Sequence, residues 1–338
     1  MMMPESFQAE LEDIITKFSI ISPNSYSLQH RKYSITINDN KDDDSNSLAK
    51  LFIHYLGNKL YQIYHCRQKD YKKERVHENS MNSRDFIESL SNANTSTGTW
   101  ESEWEINKIE KNGQIAVHKN GLTLWVTPQQ FISDEGGVQV GTKGRIAMVK
   151  EFRSLLPGFY MANGNVTINQ SPILTRIYWN VDVSAAVSLM RCLTTELNKK
   201  KVPFQFKILS DPNEYTRIDA AILYMNKRYL GKTRNALKKI YEQTKPFLKS
   251  QTPLFAKRLA PGVSLAEDPN NGESFGQHRT RLLAEALHSL GEKDNSTKDE
   301  KMKKILTHFK NSGIDINKPY INSGSTDDYE IILKGVFN

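Results

Sequence analysis

Apolar residues recur at helical spacing through the first 95 positions of the chain. Residues 4–18 and 48–65 carry apolar side chains every three or four positions, which predicts two amphipathic helices. A third helix is predicted over residues 83–90, and the polar run that follows it, residues 91–98, is typical of a linker. The pattern therefore predicts a helical N-terminal region over residues 1–95.

Beyond the linker, the pattern changes to an alternation of apolar and polar positions. Short strands are expected over residues 100–109, 114–118, 122–126, 144–152 and 158–162. Asn112-Gly113 and Asn120-Gly121 stand between the first three of these strands. Because Asn-Gly tolerates the backbone angles of a tight hairpin turn, this spacing predicts an antiparallel meander.

Strands and helices are mixed in the C-terminal half without regular alternation. Strands are predicted over residues 174–181, 203–209, 219–225 and 329–333, and helices over residues 184–198, 231–241, 275–290 and 297–310. Ser184 is the expected N-cap of the first of these helices, and residues 255–274 are expected to form a long loop. The pattern predicts an α+β fold, with a mixed or antiparallel sheet and flanking helices, in a second unit over residues 96–338.

Charge and missing motifs narrow the classes of function. The 338 residues include 46 Lys and Arg against 38 Asp and Glu, and the net charge of +8 favours an anionic partner: nucleic acid, a phosphorylated peptide or an acidic leader peptide. The sequence has no Gly-rich phosphate loop, dinucleotide fingerprint, His-Glu-x-x-His helix or Gly-x-Ser-x-Gly elbow. These absences disfavour the common kinases, dehydrogenases and hydrolases.

Cysteine usage and hydropathy bear on cofactors and location. Cys66 and Cys192 have neither the spacing of metal ligands nor that of a disulfide framework, so no metal or other cofactor is expected. The N-terminus lacks the pattern of a signal peptide, and no run of about 18 apolar residues is present. The sequence predicts a cytoplasmic protein with no membrane partner.

One predicted strand carries a lysine among apolar residues. Alternation over residues 203–209 puts Gln205 and Lys207 on one face of the strand and the aromatic residues on the other. If that face lines a cleft, partial burial would lower the pKa of Lys207 and make it a usable base. The alternative is a lysine that faces solvent on a one-sided sheet.

Two further stretches carry groups that suit an anion. Arg217 and Asp219 are two positions apart, so on a strand they share a face as an ordinary ion pair or as part of a phosphate site, and Tyr224 ends that strand. Arg279 and Arg281 fall in the first two turns of a helix, where backbone N–H groups bind anions and the planar guanidinium matches phosphate oxygens. The alternative for the second stretch is a capped surface helix with exposed arginines.

Several segments at these positions resemble the HopA-like type III effector family. The resemblance is carried by residues 176–180 (RIYWN), 202–207 (VPFQFK), 215–224 (YTRIDAAILY) and 265–279, which include AEDP and SFG. Similar domains act as lyases in the biosynthesis of class V lanthipeptides and related thioamide-containing peptides, and their fold is similar to that of phosphothreonine lyases. The resemblance covers roughly residues 100–290.

The resemblance implies roles for individual residues. Lys207 matches the base lysine, Tyr224 the phosphate-binding tyrosine and Arg279 a late arginine. By residue type and spacing alone, Arg281 and Arg217 are further candidate phosphate ligands, and Asp219 and Gln205 are candidate supporting residues. Two positions depart from the family pattern: Tyr178 stands where an acid histidine is expected, and Asn226 where a lysine is expected. Either Tyr178 or His278 serves as the acid, or the step needs no strong acid, or the site only binds.

Together these features predict a carbon–oxygen lyase in the maturation of a peptide natural product. It would eliminate phosphate from phosphoserine or phosphothreonine to give dehydroalanine or dehydrobutyrine, without a metal or nucleotide. Its partner would be a phosphorylated precursor peptide made by a separate kinase, not a nucleic acid, and the N-terminal region would bind a partner or leader peptide. The alternatives are a non-catalytic, effector-like protein and a binding module for phosphopeptide or nucleic acid.

Overall fold

Residues 5–35, 45–68, 83–119, 121–168, 173–291 and 296–338 are described by the computed structural model. They form three antiparallel sheets with helices packed around them, so the fold is α+β, as the sequence predicts. Asn120 of the second predicted turn lies outside the described residues.

Helices and one small sheet make up the N-terminal region. The elements are α1 (Glu5–Lys17), β1 (Phe18–Ser22), β2 (Ser25–Leu28), β3 (Arg31–Ser34), α2 (Ser45–Leu60) and α3 (Ser83–Ala93), with a π-helical turn, Tyr61–His65, continuing α2. The three predicted helices are confirmed. Alternation over residues 33–37 predicts one strand, which overlaps β3, and residues 36 and 37 lie outside the described residues. β1 and β2 were not predicted, because four or five residues give too short an alternation to detect there.

The run predicted as a linker is partly buried: Ser91, Ala93, Asn94 and Ser96 are buried, and Asn92, Thr95 and Thr97 are exposed. α3 extends through Ala93, and Asn94 donates hydrogen bonds to the Lys150 carbonyl at 3.2 Å and to Tyr160 Oη at 3.1 Å. Leu90 and Ala93 belong to the same hydrophobic core as the buried apolar residues of the C-terminal half. The division into units at residue 95 stays a prediction.

A five-stranded sheet follows the N-terminal region. Its strands are β4 (Thr99–Ile109), β5 (Ile115–Lys119), β6 (Leu122–Val126), β7 (Phe131–Ser133) and β8 (Lys143–Met148), in the order β6-β5-β4-β8-β7. The predicted meander is confirmed, and Gly113 in its first turn has a φ of 84°. This sheet encloses a small core of its own around Trp104, Ile106 and Val117.

A seven-stranded antiparallel sheet forms the centre of the C-terminal half. Its strands are β9 (Glu151–Leu156), β10 (Phe159–Asn163), β11 (Leu174–Trp179), β12 (Gln205–Leu209), β13 (Ala221–Asn226), β14 (Lys257–Ala260) and β15 (Val263–Glu267), in the order β14-β15-β11-β13-β12-β10-β9. The helices are α4 (Ala186–Lys199), α5 (Leu230–Thr244), α6 (Phe275–His288), α7 (Lys298–Asn311) and α8 (Tyr329–Ile332). α5 covers one face, where Thr233 reaches Met225, and α6 covers the other, where Phe275 meets Tyr178.

Four sequence predictions differ from the structure. Residues 255–274 are not a loop: they contain β14 and β15, joined at Gly262, whose φ of 74° allows the tight reversal. Residues 329–333 are not a strand but contain α8, which the buried Tyr329 anchors through a 2.7 Å hydrogen bond to Glu267. The stretch 144–152 is divided between β8 and β9. Asp182, not Ser184, caps the turn before α4, because its carboxylate accepts from Ser184 N–H at 3.1 Å.

Candidate functional site

Strand register gathers polar side chains on the α6 face of the seven-stranded sheet. Directly paired residues of antiparallel strands point to the same face. One row runs across four strands through Tyr178, Ile222, Lys207 and Met161, and the next row runs through Arg176, Tyr224, Gln205 and Asn163. The predicted placement of Gln205 and Lys207 on one face is therefore confirmed, and the sheet brings Tyr178 and Tyr224 to that same face.

Lys207 stands partly buried near the middle of this face. Its ammonium lies 3.9 Å from the centroid of the Phe159 ring, and in the described part of the chain no carboxylate pairs with it. Burial lowers the pKa of Lys207 to about 8, and the charges of Arg176 and Arg217 add to this effect while Asp219 opposes it. With this pKa, about a tenth of the Lys207 side chains are free amines at pH 7, far more than for an ordinary lysine.

Arg217 and Asp219 form the ion pair that their spacing suggests. The guanidinium donates to both carboxylate oxygens, from Nε at 2.9 Å and from Nη2 at 2.7 Å. Asp219 is 1% exposed, and although burial raises its pKa, the bond to Arg217 holds that pKa below the ordinary value. The Arg217 guanidinium also lies 5.5 Å from the Phe159 ring, so Lys207 and Arg217 approach the same aromatic side chain.

A second arginine, Arg176, was not among the predicted site residues. Its Nε donates to Asp268 at 2.8 Å, and its guanidinium lies 5.1 Å from the Tyr224 ring centroid. The signal that could have found it is its place as the lone cation of an otherwise apolar and aromatic strand, β11. The bonds to Asp268 and Asp219 use Nε and Nη2 of Arg176 and Arg217, and Arg176 also lies near enough to Tyr178 to lower the pKa of its phenol. Nη1 of each fixed guanidinium is therefore a donor that an anion could use.

Tyr178 and His65 close the inner end of this face. Tyr178 is 1% exposed, its Oη has no hydrogen-bond partner among the described residues, and burial raises its pKa above the ordinary value. The His65 ring meets the Tyr178 ring edge to face, with 5.6 Å between centroids. His65 was missed because it lies in the N-terminal region, far from Tyr178 in the chain, and nothing local marks it.

The three candidates on α6 lie in different surroundings from Lys207. Arg279 is fully buried and donates to the carbonyls of residues 319 and 321, at 2.7 and 3.0 Å, so it holds the C-terminal segment. His278 accepts from Arg279 at 2.5 Å, and burial lowers its pKa to about 4. Arg281 forms ion pairs with Glu273 at 2.8 Å and Glu285 at 2.5 Å. Their hydrogen bonds and ion pairs serve packing and the protein surface, although Arg279 lies near enough to Tyr178 for the two groups to interact electrostatically. A role of these three residues in the site stays a prediction.

The gathered groups suit a phosphate-like anion. Two guanidinium groups and a lysine carry three positive charges against the carboxylates of Asp219 and Asp268. In the described residues, no group of three or more His, Cys, Asp or Glu side chains could hold a metal ion. None of the helices in these segments is long and apolar enough to cross a membrane.

Comparisons with known proteins point to one family. The model of the HopA1 effector protein family matches residues 152–321, which include every strand of the site face. The chain is also similar to the structures of two effector proteins, from Pseudomonas syringae pv. tomato (15% identity, TM-score 0.48) and Pseudomonas syringae pv. syringae (16% identity, TM-score 0.46). Each comparison covers 81% of this chain and 97% of the other. A search of curated proteins found no match.

Proposed function

The chain belongs to the HopA1 effector protein family, and we propose that it eliminates phosphate from phosphoserine or phosphothreonine in a peptide, leaving dehydroalanine or dehydrobutyrine. The observation that carries this proposal is Lys207, a partly buried lysine that approaches the same Phe159 ring as Arg217 and shares its sheet face with Arg176. Burial also lowers its pKa to about 8. A base with a pKa near the working pH and a cationic site for the leaving group are the two main requirements of the reaction.

Each step of the elimination has a group to perform it. The free amine of Lys207 takes the α-proton, and the electrons of the Cα–H bond become the second bond between Cα and Cβ. The Cβ–O bond breaks, and phosphate leaves with that electron pair. The Nη1 donors of Arg176 and Arg217 would hold the phosphate oxygens and balance their charge, since guanidinium groups fixed by carboxylates need no rearrangement to do so.

The departing phosphate also gains a proton. Tyr178 lies in the same row as Lys207, and its Oη has no partner among the described residues, so the phenol is free to donate to the bridging oxygen. Arg176, two residues before Tyr178 on the same face, lowers the pKa that burial raises and would stabilise the phenolate. Tyr224, whose ring packs on Arg176, would keep that guanidinium in place.

The proposed substrate is a phosphorylated precursor peptide supplied by a separate kinase. The partly exposed residues of the site would face this peptide: Lys207 and Gln205 lie on β12, Tyr224 lies on β13, and Arg217 lies in the bend that precedes β13. The helical N-terminal region would contact a leader or partner segment.

Mass spectrometry of phosphoserine and phosphothreonine peptides incubated with the full chain tests the proposal. The expected product has lost phosphoric acid and carries an alkene, whereas a phosphatase would leave an alcohol. Lys207→Ala should slow the reaction by about 10²–10⁴-fold, the usual contribution of a general base. Lys232→Ala is the matched control, because Lys232 is exposed on α5, which covers the opposite face of the sheet.

Tyr178 in place of the expected histidine also favours a second candidate, a phosphopeptide-binding protein without chemistry. Its phenol is fully buried, and burial makes it a weaker acid than a surface tyrosine. Binding of phosphopeptides that depends on Arg176 and Arg217, with no alkene formed at any pH between 6 and 9, would select this candidate and reject the lyase.

A further inference from the structure

An imidazole from the N-terminal region lies against the proposed phosphate site. His65 ends the π-helical turn after α2, and only 2% of its surface is exposed. Its ring stacks on Tyr61, with centroids 4.8 Å apart, and meets Tyr178 edge to face at 5.6 Å. Within the described residues, neither His65 Nδ1 nor Tyr178 Oη has a hydrogen-bond partner. Two unpartnered polar atoms on touching rings are unusual inside a protein, where such groups are almost always paired.

The surrounding helix leaves room for this imidazole. A Cβ on Gly276 of α6 would stand 2.6 Å from three ring atoms of His65, so a larger residue there would displace the ring. Glycine is a poor helix former, and its use in the first turn of α6 keeps the space that the imidazole fills. The His65 position is therefore held from two sides, by Tyr61 below and α6 above.

The charged groups that face His65 come from the site itself. Four charged side chains act on His65 electrostatically: Asp219, Arg176, Arg217 and Lys207. The titratable neutral groups beside it are Tyr61 and Cys66 on its own turn and Tyr178 on β11, and burial raises the pKa of each. α6 contacts the imidazole through the uncharged Phe275 and Gly276. Burial lowers the pKa of His65 to about 4; Asp219 opposes this effect and the three cations add to it. The imidazole is therefore neutral when no anion is bound to the three cations. A dianion bound among them would offset the repulsion between these cations and a protonated His65.

We infer that His65 takes up a proton from solvent when a phosphate group binds among Arg176, Arg217 and Lys207, and passes it through Tyr178 to the departing phosphate. Tyr178 gives its phenolic proton to the leaving oxygen. It regains one from the imidazolium once His65 Nδ1 and Tyr178 Oη form a hydrogen bond, which they do not make in this structure, so His65 ends the cycle neutral. The second half of this inference rests on the proposed function. His65 is a positioning residue that acts through Tyr178, and it makes the N-terminal region part of the site.

Sulfate is the probe for the first half, because it stays a dianion throughout the relevant pH range and cannot be eliminated. The imidazole resonances of the full chain would be titrated by NMR between pH 4 and 7, in sulfate and in chloride of equal ionic strength. The pKa of His65 should rise by about one to three units in sulfate, the usual effect of an opposite charge close by. His65→Gln assigns the resonance, and through-bond correlation from the ring to Cβ assigns it in the unmodified protein if that variant does not fold.

The His54 imidazole is the matched control, because it is exposed on α2, the helix that the His65 turn continues. His54→Gln assigns the His54 resonance, which should not respond to sulfate. Calorimetry at pH 5.5 in two buffers of different ionisation enthalpy gives a second readout: sulfate binding should take up as much as about one proton, and this uptake should disappear in His65→Gln. Lys207, with a pKa of about 8, is already charged at this pH and adds nothing.

The outcomes separate this inference from the proposed function. If sulfate does not bind, or binds without moving the His65 pKa, the inference is overturned, even if the protein eliminates phosphate. If His65 responds to sulfate but no alkene forms from any phosphopeptide, the proton uptake is supported and the lyase is rejected. In an active lyase, His65→Gln should lower kcat while leaving KM nearly unchanged, since His65 does not touch the substrate.

Discussion

Gly276 and Gly231 are each the second residue of a helix, and replacing each with alanine tests the packing around His65. Gly276 follows Phe275 at the start of α6, and Gly231 follows Leu230 at the start of α5. A Cβ on Gly276 would stand 2.6 Å from ring atoms of His65, whereas a Cβ on Gly231 would meet nothing within 4 Å. The two substitutions are thus chemically identical and differ only in what the added methyl group meets.

The expected magnitude follows from this geometry. Non-bonded carbon atoms pack at about 3.5–4.0 Å, so Gly276→Ala forces the imidazole to move by about 1 Å, against the stacked Tyr61 and the buried Tyr178. Overpacking of this kind costs about 1–3 kcal/mol. Alanine returns at most about 1 kcal/mol of helix propensity, and less in a first turn. We expect Gly276→Ala to lower the free energy of unfolding by about 1–2 kcal/mol, and Gly231→Ala to leave it unchanged or raise it slightly.

Urea denaturation followed by tryptophan fluorescence and circular dichroism measures both values, with equal m-values as the sign that only stability has changed. Gly276→Ala should also weaken the response of His65 to sulfate. If the two variants unfold at the same urea concentration, the imidazole does not lie against Gly276, and the reasoning about the inner end of the site fails.

Three further predictions concern protonation and the α6 arginines. In the lyase assay of His65→Gln, which lacks the imidazolium as a proton source, kcat/KM should rise with pH and level off above the Lys207 pKa of about 8, because only the free amine of Lys207 accepts the α-proton. In the wild type, loss of the His65 proton should oppose this rise. A rate of His65→Gln that is independent of pH from 6 to 9 would rule out Lys207 as the base. The free energy of unfolding should fall as the pH drops from about 6.5 towards 4. Burial lowers the native pKa values of His65 and His278 to about 4, so in this range the unfolded chain binds protons that the native protein does not. Equilibrium denaturation of the wild type and His65→Gln measures the dependence of the unfolding free energy on pH, which should be shallower in the variant. Arg279→Met should cost about 2–5 kcal/mol, because it leaves buried carbonyls unpaired, and Arg281→Met about 1 kcal/mol or less, because its ion pairs are partly exposed; equal thermal shifts for the two would contradict this assignment.

Periodicity determined the elements whose pattern is long or sharply bounded. The three N-terminal helices and the β4-β5-β6 meander follow from apolar spacing and Asn-Gly turns, which act over a few residues. The same reasoning failed for β14 and β15, because Pro and Gly around their turn resemble loop composition. β15 is a strand because it pairs with β11 along its whole length, and that pairing depends on residues far away in the sequence.

The candidate site likewise contains relations that local sequence predicts and relations that only the tertiary structure shows. Alternation alone put Gln205 and Lys207 on one face, and spacing alone suggested the Arg217–Asp219 pair, because both relations lie within one short segment. Arg279, by contrast, has the residue type and helix position of an anion ligand, but its side chain is directed at backbone carbonyls of the C-terminal segment. No local pattern distinguishes these two outcomes.

The sequence by itself determined the local geometry of this protein, and the tertiary structure decided which local pieces meet. Arg176 reaches the site because strand register sets it opposite Tyr224, and His65 reaches it because α2 packs against α6 and carries the imidazole to Tyr178. Register and helix docking are fixed by burial of whole apolar faces across long chain separations, so they depend on many residues at once. A lysine, two arginines and an imidazole from separate elements become one site only when those faces are packed.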